Sequence, residues 1–269
     1  MRYTYSLFLL STWLFGNPAE PFLLGECLVA MEANQEIPPK PQDTAGLDPE
    51  LRGVLALYYQ NSLGGEAHWD SVETMLIEGR VELPGGDVLF FKNYRKKPDL
   101  NKTILYLPGD YKVIQSFDGK IAWECLTFES EDPKQMPEKQ ASDSIRDACF
   151  GSHLLYPLIP GKKIEYLGNP IVNEKKISLI QVTLPNSQLI KIGLNASGYQ
   201  VSEETIQLMD GKKRKTLQYD FRKISGITVP FRTQTLIDDE RVQEVRIDSV
   251  IINKGVYTWM FGRTLNADS

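Results

Sequence analysis

The 269-residue chain has few of the residues, and none of the short motifs, that most enzymes use for chemistry. It contains two histidines and three cysteines, and no cysteine lies in a CxxC or zinc-type spacing. The GxSxG, P-loop, GxGxxG and HExxH motifs are all absent. We therefore expect a protein that is not an enzyme and that needs no metal or cofactor.

A single pair of residues invites a catalytic interpretation. Cys149 and His153 are four positions apart, so they would share one face of a helix. A cysteine nucleophile also needs a third group that orients the histidine, together with donors that hold the oxyanion. The sequence identifies neither of these, so a hydrolase is kept only as a third hypothesis behind two non-catalytic ones.

The chain has no excess of positive charge. Its 30 lysines and arginines are outnumbered by 35 aspartates and glutamates, which gives a formal net charge of −5. Nucleic-acid-binding domains normally carry a basic patch or stripe. The basic run Lys212–Lys215 follows Asp210-Gly211 and has the composition of a hairpin tip. We expect no nucleic-acid partner.

Long hydrophobic runs are equally scarce. The run Ser6–Phe15 follows a single basic residue and is too short to span a bilayer. It predicts an export signal with a cleavage site ending at Ala19 or Ala30, although an uncleaved anchor and a misassigned start codon stay open. Glu26 precedes Cys27, where a lipidation box has a small residue. The prediction is export to the periplasm or cell envelope.

What the sequence does have is alternation of apolar and polar residues with a period of two. It is clearest between Thr216 and Ile252, where turn residues separate three segments. Each segment should be a strand with one buried face in an antiparallel meander. Similar short segments recur from Thr74 onward, about ten or eleven strands in all. The apolar faces of the three segments are Leu217, Tyr219 and Phe221, then Ile227, Val229, Phe231 and Ile237, then Val245, Ile247 and Ile251.

Two helices are expected beside these strands. Asp48 has the character of an N-cap with Pro49 at the first helical position, and Gly64-Gly65 ends the helix. The second helix is predicted over Ser142–Leu155, and the polar stretch Glu129–Gln140 before it is predicted to be a loop. The apolar residues of the first helix fall on one stripe, at Leu51, Val54, Leu55 and Tyr58.

The chain shows no internal repeat and no break in composition, so one folded domain of the mainly β (α+β) class is predicted. Residues 1–30 form the export signal, 31–47 a Pro-rich linker, 48–262 the β domain and 263–269 a C-terminal tail. With the signal removed, two cysteines remain, and an exported protein can bridge such a pair. Spacing alone leaves the disulfide Cys125–Cys149 open.

Four stretches, taken in order, resemble the family of outer-membrane lipoprotein-sorting proteins with the LolA/LolB-like fold. The resemblance covers roughly residues 48–262 and comes from order and spacing rather than from a single motif. The stretches are Leu63-Gly64-Gly65 before the strand from Glu73, Phe117-Asp118-Gly119 with Ala122-Trp123, Tyr166-Leu167-Gly168, and Tyr219-Asp220-Phe221-Arg222 through Pro230-Phe231.

The resemblance implies a single half-open, strongly curved antiparallel β-barrel with a small helical plug or lid. Its apolar cavity would hold lipid acyl chains or a lipoprotein for transfer to the outer membrane, with an envelope membrane protein as a partner. We expect a monomer. The inward residues that should contact the ligand are Ile77, Phe91, Trp123, Phe150, Leu154, Ile190, Phe231 and Ile247.

A second hypothesis gives the same sheet a different role. The protein would be a non-catalytic structural or protein-docking module of the cell envelope with a filled interior. The eight predicted ligand-binding residues would then be ordinary core, which is what apolar alternation usually means. An open cavity distinguishes the first hypothesis from the second.

Overall fold

A computed structural model describes residues 47–155, 161–206 and 212–263 of the chain. Its helices are α1 (Pro49–Ser62), α2 (Glu66–Asp70), α3 (Glu138–Asp147) and a 3₁₀ helix (Thr258–Phe261). Its strands are β1 (Thr74–Glu82), β2 (Val88–Lys96), β3 (Leu100–Tyr106), β4 (Lys112–Phe117), β5 (Ala122–Leu126), β6 (Lys134–Gln135), β7 (Lys163–Tyr166), β8 (Ile171–Val172), β9 (Lys175–Lys176), β10 (Ser178–Thr183), β11 (Leu189–Leu194), β12 (Gln200–Ile206), β13 (Arg214–Ile224), β14 (Ile227–Ile237) and β15 (Glu240–Ile252).

The described strands form one large curved antiparallel sheet and one small hairpin. The sheet has 13 strands in the order β6-β5-β4-β3-β2-β1-β15-β14-β13-β12-β11-β10-β7, and β8 pairs only with β9. Two meanders therefore meet where β1 pairs with β15. The mainly β class is confirmed. The barrel is not, because the sheet ends at β6 and β7 and does not close.

The strand count is larger than the ten or eleven expected from alternation. The stretch Glu129–Gln140, predicted to be a loop, contains β6 and the start of α3. Both β6 residues are exposed, and they pair only with Trp123 and Glu124 at the edge of the sheet. A two-residue exposed edge strand has no apolar face, so it leaves no alternation to detect.

A β-bulge at Asp248 changes which residues of β15 face inward. Glu78 pairs with Ser249 while the next residue, Gly79, pairs with Ile247, so Asp248 is an extra residue on β15. The alternation therefore slips by one position, and Ile251 is exposed instead of buried. Gly79 is needed at this point because a Cβ there would lie 2.3 Å from the carbonyl oxygen of Arg246.

The first helix follows its prediction. The Asp48 carboxylate accepts hydrogen bonds from the backbone amides of Glu50 and Leu51 at 2.8 and 3.3 Å, which confirms the N-cap. Gly64 ends the helix with a φ of 77°, and a Cβ on it would clash with the carbonyl oxygen of Gly226. The buried stripe of α1 packs on the inner face of the sheet and forms the larger core cluster with β10, β11 and β14.

The second predicted helix is displaced. It covers Glu138–Asp147 rather than Ser142–Leu155, and the chain from Ala148 leaves the helical path. Gly151 has a φ of 96° and lies against the Trp69 ring, where a Cβ would come within 2.6 Å of that ring. A residue held in this left-handed conformation cannot continue a right-handed helix.

The outer face of β2 to β5 carries a core of its own. Trp123 is fully buried there, and its indole Nε1 donates a hydrogen bond to the carbonyl oxygen of Phe261 at 2.9 Å. The 3₁₀ helix covers this cluster with Met260 and Phe261, beside Val256. Each face of this part of the sheet is thus covered, the inner face by helices and the outer face by the segment after β15.

Candidate ligand-binding cavity

The inner face of the sheet borders a half-open cavity of about 430 Å³. The floor comes from β1 to β4 and β12 to β15, and the walls come from the end of α1, from α2, from α3 and from the loop after α3. This volume lies within the range typical of small-molecule sites. The helices act as an incomplete cover, which leaves space between them and the sheet.

An apolar strip runs across the middle of the floor. Phe91 on β2 pairs with Gly79, which in turn pairs with Ile247 on β15, so the phenyl ring extends over a position that has no side chain. Ile77 and Val245 continue the strip on β1 and β15. Further apolar lining comes from Leu63, Trp69, Met75, Ile227, Val229 and Ile237.

Polar side chains flank the strip on the side of β2 to β4. Asn93, Thr103 and Gln115 are directly paired across three neighbouring strands. The Asn93 amide donates hydrogen bonds to Asn101 Oδ1 at 2.8 Å and to Thr103 Oγ1 at 2.9 Å. These side chains therefore form an ordered hydrogen-bonding wall.

The opposite flank is polar as well, against expectation. Thr216 and Gln218 of β13 line the cavity, while the neighbouring Tyr219 is exposed on the outer face, where its ring contacts Arg232. The prediction that Leu217 and Tyr219 face inward is wrong. Polar residues face inward here because this part of the sheet borders an open cavity, whereas tight packing would favour apolar ones.

Two arginines bind one carboxylate at the end of α3. Asp147 accepts a bidentate pair from Arg214, both bonds at 3.1 Å, and a third bond from Arg146 Nε at 2.9 Å. Arg146 also donates from Nη1 to Asp143 at 2.6 Å. Burial alone would raise the pKa of Asp147, but the charges of Arg146 and Arg214 hold it well below its usual range.

Arg95 reaches this cluster from the floor of the cavity. Its Nη2 donates hydrogen bonds to the backbone carbonyl oxygens of Asp147, at 3.1 Å, and of Cys149. Within the described part of the chain it makes no ion pair, and burial lowers the pKa of its guanidinium. Arg95 therefore ties β2 to the C-terminal end of α3 with backbone acceptors only.

The Cys149 and His153 pair does not form a nucleophilic site. Both residues border the cavity, but they lie beyond the end of α3, so they do not share a helical face. Burial raises the pKa of the Cys149 thiol to about 12 and lowers the pKa of His153. The thiol stays protonated at neutral pH and cannot act as a thiolate nucleophile.

Three of the eight predicted ligand-binding residues line the cavity, namely Ile77, Phe91 and Ile247. The other five are packed elsewhere in the protein. Trp123 belongs to the outer core, and the Phe150 ring lies 5.5 Å from the Trp69 ring behind the cavity wall. The remaining three, buried in the core beneath α1, are Leu154, Ile190 and Phe231.

The disulfide left open by the sequence is not formed. Cys125 and Cys149 are both free thiols. Cys125 belongs to the outer core cluster and donates to the backbone carbonyl oxygen of Ser130, whereas Cys149 lies at the cavity wall. The two thiols thus lie on opposite faces of the sheet.

The described residues lack two further features. They contain no group of three or more His, Cys, Asp or Glu side chains arranged to hold a metal ion. None of the helices in the described ranges is long and apolar enough to cross a membrane.

Several solved structures share this architecture at low sequence identity. A LolA superfamily protein from Nitrosomonas europaea matches with a TM-score of 0.56 and 12% identity, over 78% of this chain and 96% of that chain. A DUF1329 family protein from Desulfovibrio piger matches with a TM-score of 0.55 and 13% identity, over 78% of this chain and 96% of that one.

A third similar structure is a domain described as an outer membrane lipoprotein-sorting protein, from Vibrio parahaemolyticus. It matches with a TM-score of 0.50 and 11% identity, over 71% of this chain and 89% of that chain. No family model and no curated protein matches the sequence. The resemblance inferred from the sequence is therefore confirmed for the fold, and the protein has a LolA-like fold.

Proposed function

We propose that the protein is an exported, non-catalytic carrier that holds the acyl chains of a lipid or lipoprotein in its cavity, within the periplasm or cell envelope. The observation that carries the proposal is the half-open cavity of about 430 Å³ with an apolar strip along its floor. Similarity to a lipoprotein-sorting domain supports the same assignment.

The energetics favour an acyl chain on this strip. Each methylene group moved from water to an apolar surface contributes about 0.8 kcal/mol. Phe91, Ile77 and Ile247 supply such a surface without a polar group in the middle of the strip. The affinity for an acyl chain can therefore come from the number of methylene groups that it buries. The polar flanks meanwhile stay hydrated or contact the rest of the ligand.

The docking-module hypothesis requires a filled interior, and the cavity argues against it. The space lies between the helical cover and the floor, on the side of the sheet that a packed module would fill with side chains.

The hydrolase hypothesis requires an activated nucleophile, and the protonated Cys149 thiol does not supply one. Transfer to the outer membrane and an envelope membrane-protein partner are the remaining parts of the proposal.

A matched pair of substitutions tests the cavity. Gln218 lines it and Gln181 on β10 does not, so Gln218→Trp places an indole in the cavity while Gln181→Trp places one elsewhere on the sheet. We expect the wild type to bind a fluorescent fatty-acyl probe. Gln218→Trp should weaken binding by about tenfold or more, and Gln181→Trp should not change it.

Native mass spectrometry of protein extracted from its own envelope adds a second measurement. A co-purified lipid or lipoprotein would support the carrier assignment and identify the cargo. A wild type that never binds the probe, or a Gln218→Trp variant that binds it unchanged, would contradict the proposal and favour the docking module.

A further inference from the structure

We propose that Arg95 and Arg146 form a binding site for an anionic head group, a carboxylate or a phosphate, of an amphiphile whose chain lies on the apolar strip. This inference deepens the proposed function and depends on it. It concerns the polar end of the ligand, whereas the carrier assignment concerns the chain.

The two guanidinium groups converge on a single residue. Arg95 Nη2 donates to the backbone carbonyl oxygen of Asp147 at 3.1 Å, and Arg146 Nε donates to the Asp147 carboxylate at 2.9 Å. One arginine comes from β2 and the other from α3, and both border the cavity. The sheet and its helical cover thus bring two cations together at one end of the cavity.

Each of these arginines has a donor that the protein does not use. Arg146 Nη2 and Arg95 Nε are buried and have no hydrogen-bond partner. Arg146 is 4% exposed, so bulk water does not reach it freely. A guanidinium group only donates hydrogen bonds, and a buried donor without an acceptor is costly. Both arginines border the cavity, so a ligand there is held most strongly if it presents acceptor atoms and negative charge.

The nearby carboxylates are already engaged with other groups. Asp147 and Asp143 accept from Arg214 and Arg146, and Glu203, which also borders the cavity, accepts from the Gln200 amide at 3.1 Å. Asp99, close to Arg95, accepts from the backbone amide of Phe150 at 2.9 Å. None of these makes an ion pair with Arg95, whose charged form an incoming anion would stabilise.

The site is next to the apolar strip. Arg95 pairs directly with Met75 across β2 and β1, and the adjacent cavity-facing pair is Asn93 with Ile77. A ligand with its anion at Arg95 can therefore place its chain along Ile77 and on toward Phe91 and Ile247. The arrangement suits a molecule with one anionic end and one apolar chain.

A series of ligands with one chain and different head groups tests the site. The probes are myristate, myristyl phosphate, myristyl alcohol and myristyltrimethylammonium, each measured by isothermal titration below its micelle-forming concentration. For the wild type we expect the two anions to bind about tenfold more tightly than the alcohol, and the cation to bind most weakly. Inorganic phosphate alone should bind far more weakly than myristyl phosphate.

Substitutions of Arg95 then test whether this arginine causes the preference for anionic head groups. Arg95→Gln removes the charge and leaves a shorter polar side chain. It should lose the preference for anions, so that the two anions bind no more tightly than myristyl alcohol. Arg95→Lys should retain part of that preference. The matched control is Arg241→Gln, which removes an exposed arginine of the outer face and should change nothing.

The outcomes separate the two proposals. Binding of none of the amphiphiles would overturn the carrier assignment and this inference with it. Equal binding of the alcohol and the anions by the wild type would overturn the head-group site alone. An anion preference that persists in Arg95→Gln, or inorganic phosphate that binds as tightly as myristyl phosphate, would also overturn it. The wild-type series decides the question even if Arg95→Gln fails to fold.

Discussion

Asp147 beside the cavity and Glu244 on the outer face of the sheet are each held by more than one arginine. The partners of Asp147 are shielded from water, since the side chains of Arg146 and Arg214 are 1% and 11% exposed. The partners of Glu244 are Arg232, Arg241 and Arg246, which are 42% to 55% exposed. The same kind of ion pair thus occurs in two environments. Solvent access determines whether the arginine N–H groups that do not contact the carboxylate can donate hydrogen bonds to water.

The outer arginines are exposed enough to donate to water, and Arg246 also donates to Glu82 at 3.0 Å. The inner ones are not, and Arg146 Nη2 is left without a partner. An exposed ion pair contributes little to stability because water competes for both partners. A buried one is costly to disrupt because it leaves an uncompensated charge behind. The following predictions compare the two sites, starting with the largest effect.

Replacement of the inner carboxylate should have the largest effect. Asp147→Asn keeps the shape of the side chain but leaves Arg146 and Arg214 with less compensation for their charges. We expect the free energy of unfolding to fall by about 3 kcal/mol or more. Urea denaturation measures this directly. A loss below about 1 kcal/mol would mean that water reaches the cluster and that it resembles the outer one.

Replacement of the outer carboxylate should cost less. Glu244→Gln removes the charge that Arg232 and Arg246 contact at 3.0 and 2.8 Å, but both arginines can rehydrate. We expect a loss of about 1 kcal/mol in the free energy of unfolding. The same denaturation experiment compares the two variants. A loss as large as that of Asp147→Asn would show that exposure of the partners does not control the difference.

Acid should remove the contribution of Glu244. Burial would raise its pKa, but hydrogen bonds from Arg232 and Gln234 and the charges of Arg232 and Arg246 lower it to about 2. The pKa is depressed in the folded state, so the stabilisation is complete above the unfolded pKa of about 4.3 and is lost as the pH falls toward 2.

The measurement is the stability difference between wild type and Glu244→Gln at several pH values. The difference should stay constant near neutral pH and shrink steadily below about pH 4. A difference that is independent of pH in this range would show that Glu244 is not held as an anion by its arginines.

The smallest effect should come from an ordinary surface pair. Arg80 donates to Asp248 at 2.9 Å, with side chains that are 43% and 45% exposed. Asp248→Asn should change the free energy of unfolding by less than about 0.5 kcal/mol. It provides the exposed limit against which the other two sites are compared. A clearly larger loss would point to the bulge geometry of β15 rather than to the ion pair.

Local features of this fold were predictable because they depend on neighbouring residues. The cap at Asp48 needs only the side chain and the amides that follow it, and most strands show their own alternation. The bulge at Asp248 was not predictable, because an extra residue in one strand is defined by its partner strand. The exposed Ile251 is the direct result.

The cavity lining was harder to predict for a different reason. The alternation of polar and apolar residues distinguishes solvent-exposed side chains from packed ones. Side chains that line an open cavity are also exposed to water, so alternation does not distinguish them from the outer surface. Thr216 and Gln218 therefore resemble an outer surface in the sequence although they face inward. The arginine cluster leaves no local pattern at all, since Arg95, Asp147 and Arg214 come from three distant elements.

The pairing of β1 with β15 also has a consequence for how the chain reaches this structure. The hydrogen bond from Ser249 to Glu78 joins residues 171 positions apart in the chain. Every other adjacent pair of long strands in the sheet is a short-range hairpin or meander connection. Contacts so distant in sequence form slowly because a long loop must close first. Each meander should therefore form early and expose a bare strand edge until the two halves join, and the cavity floor exists only after that late step.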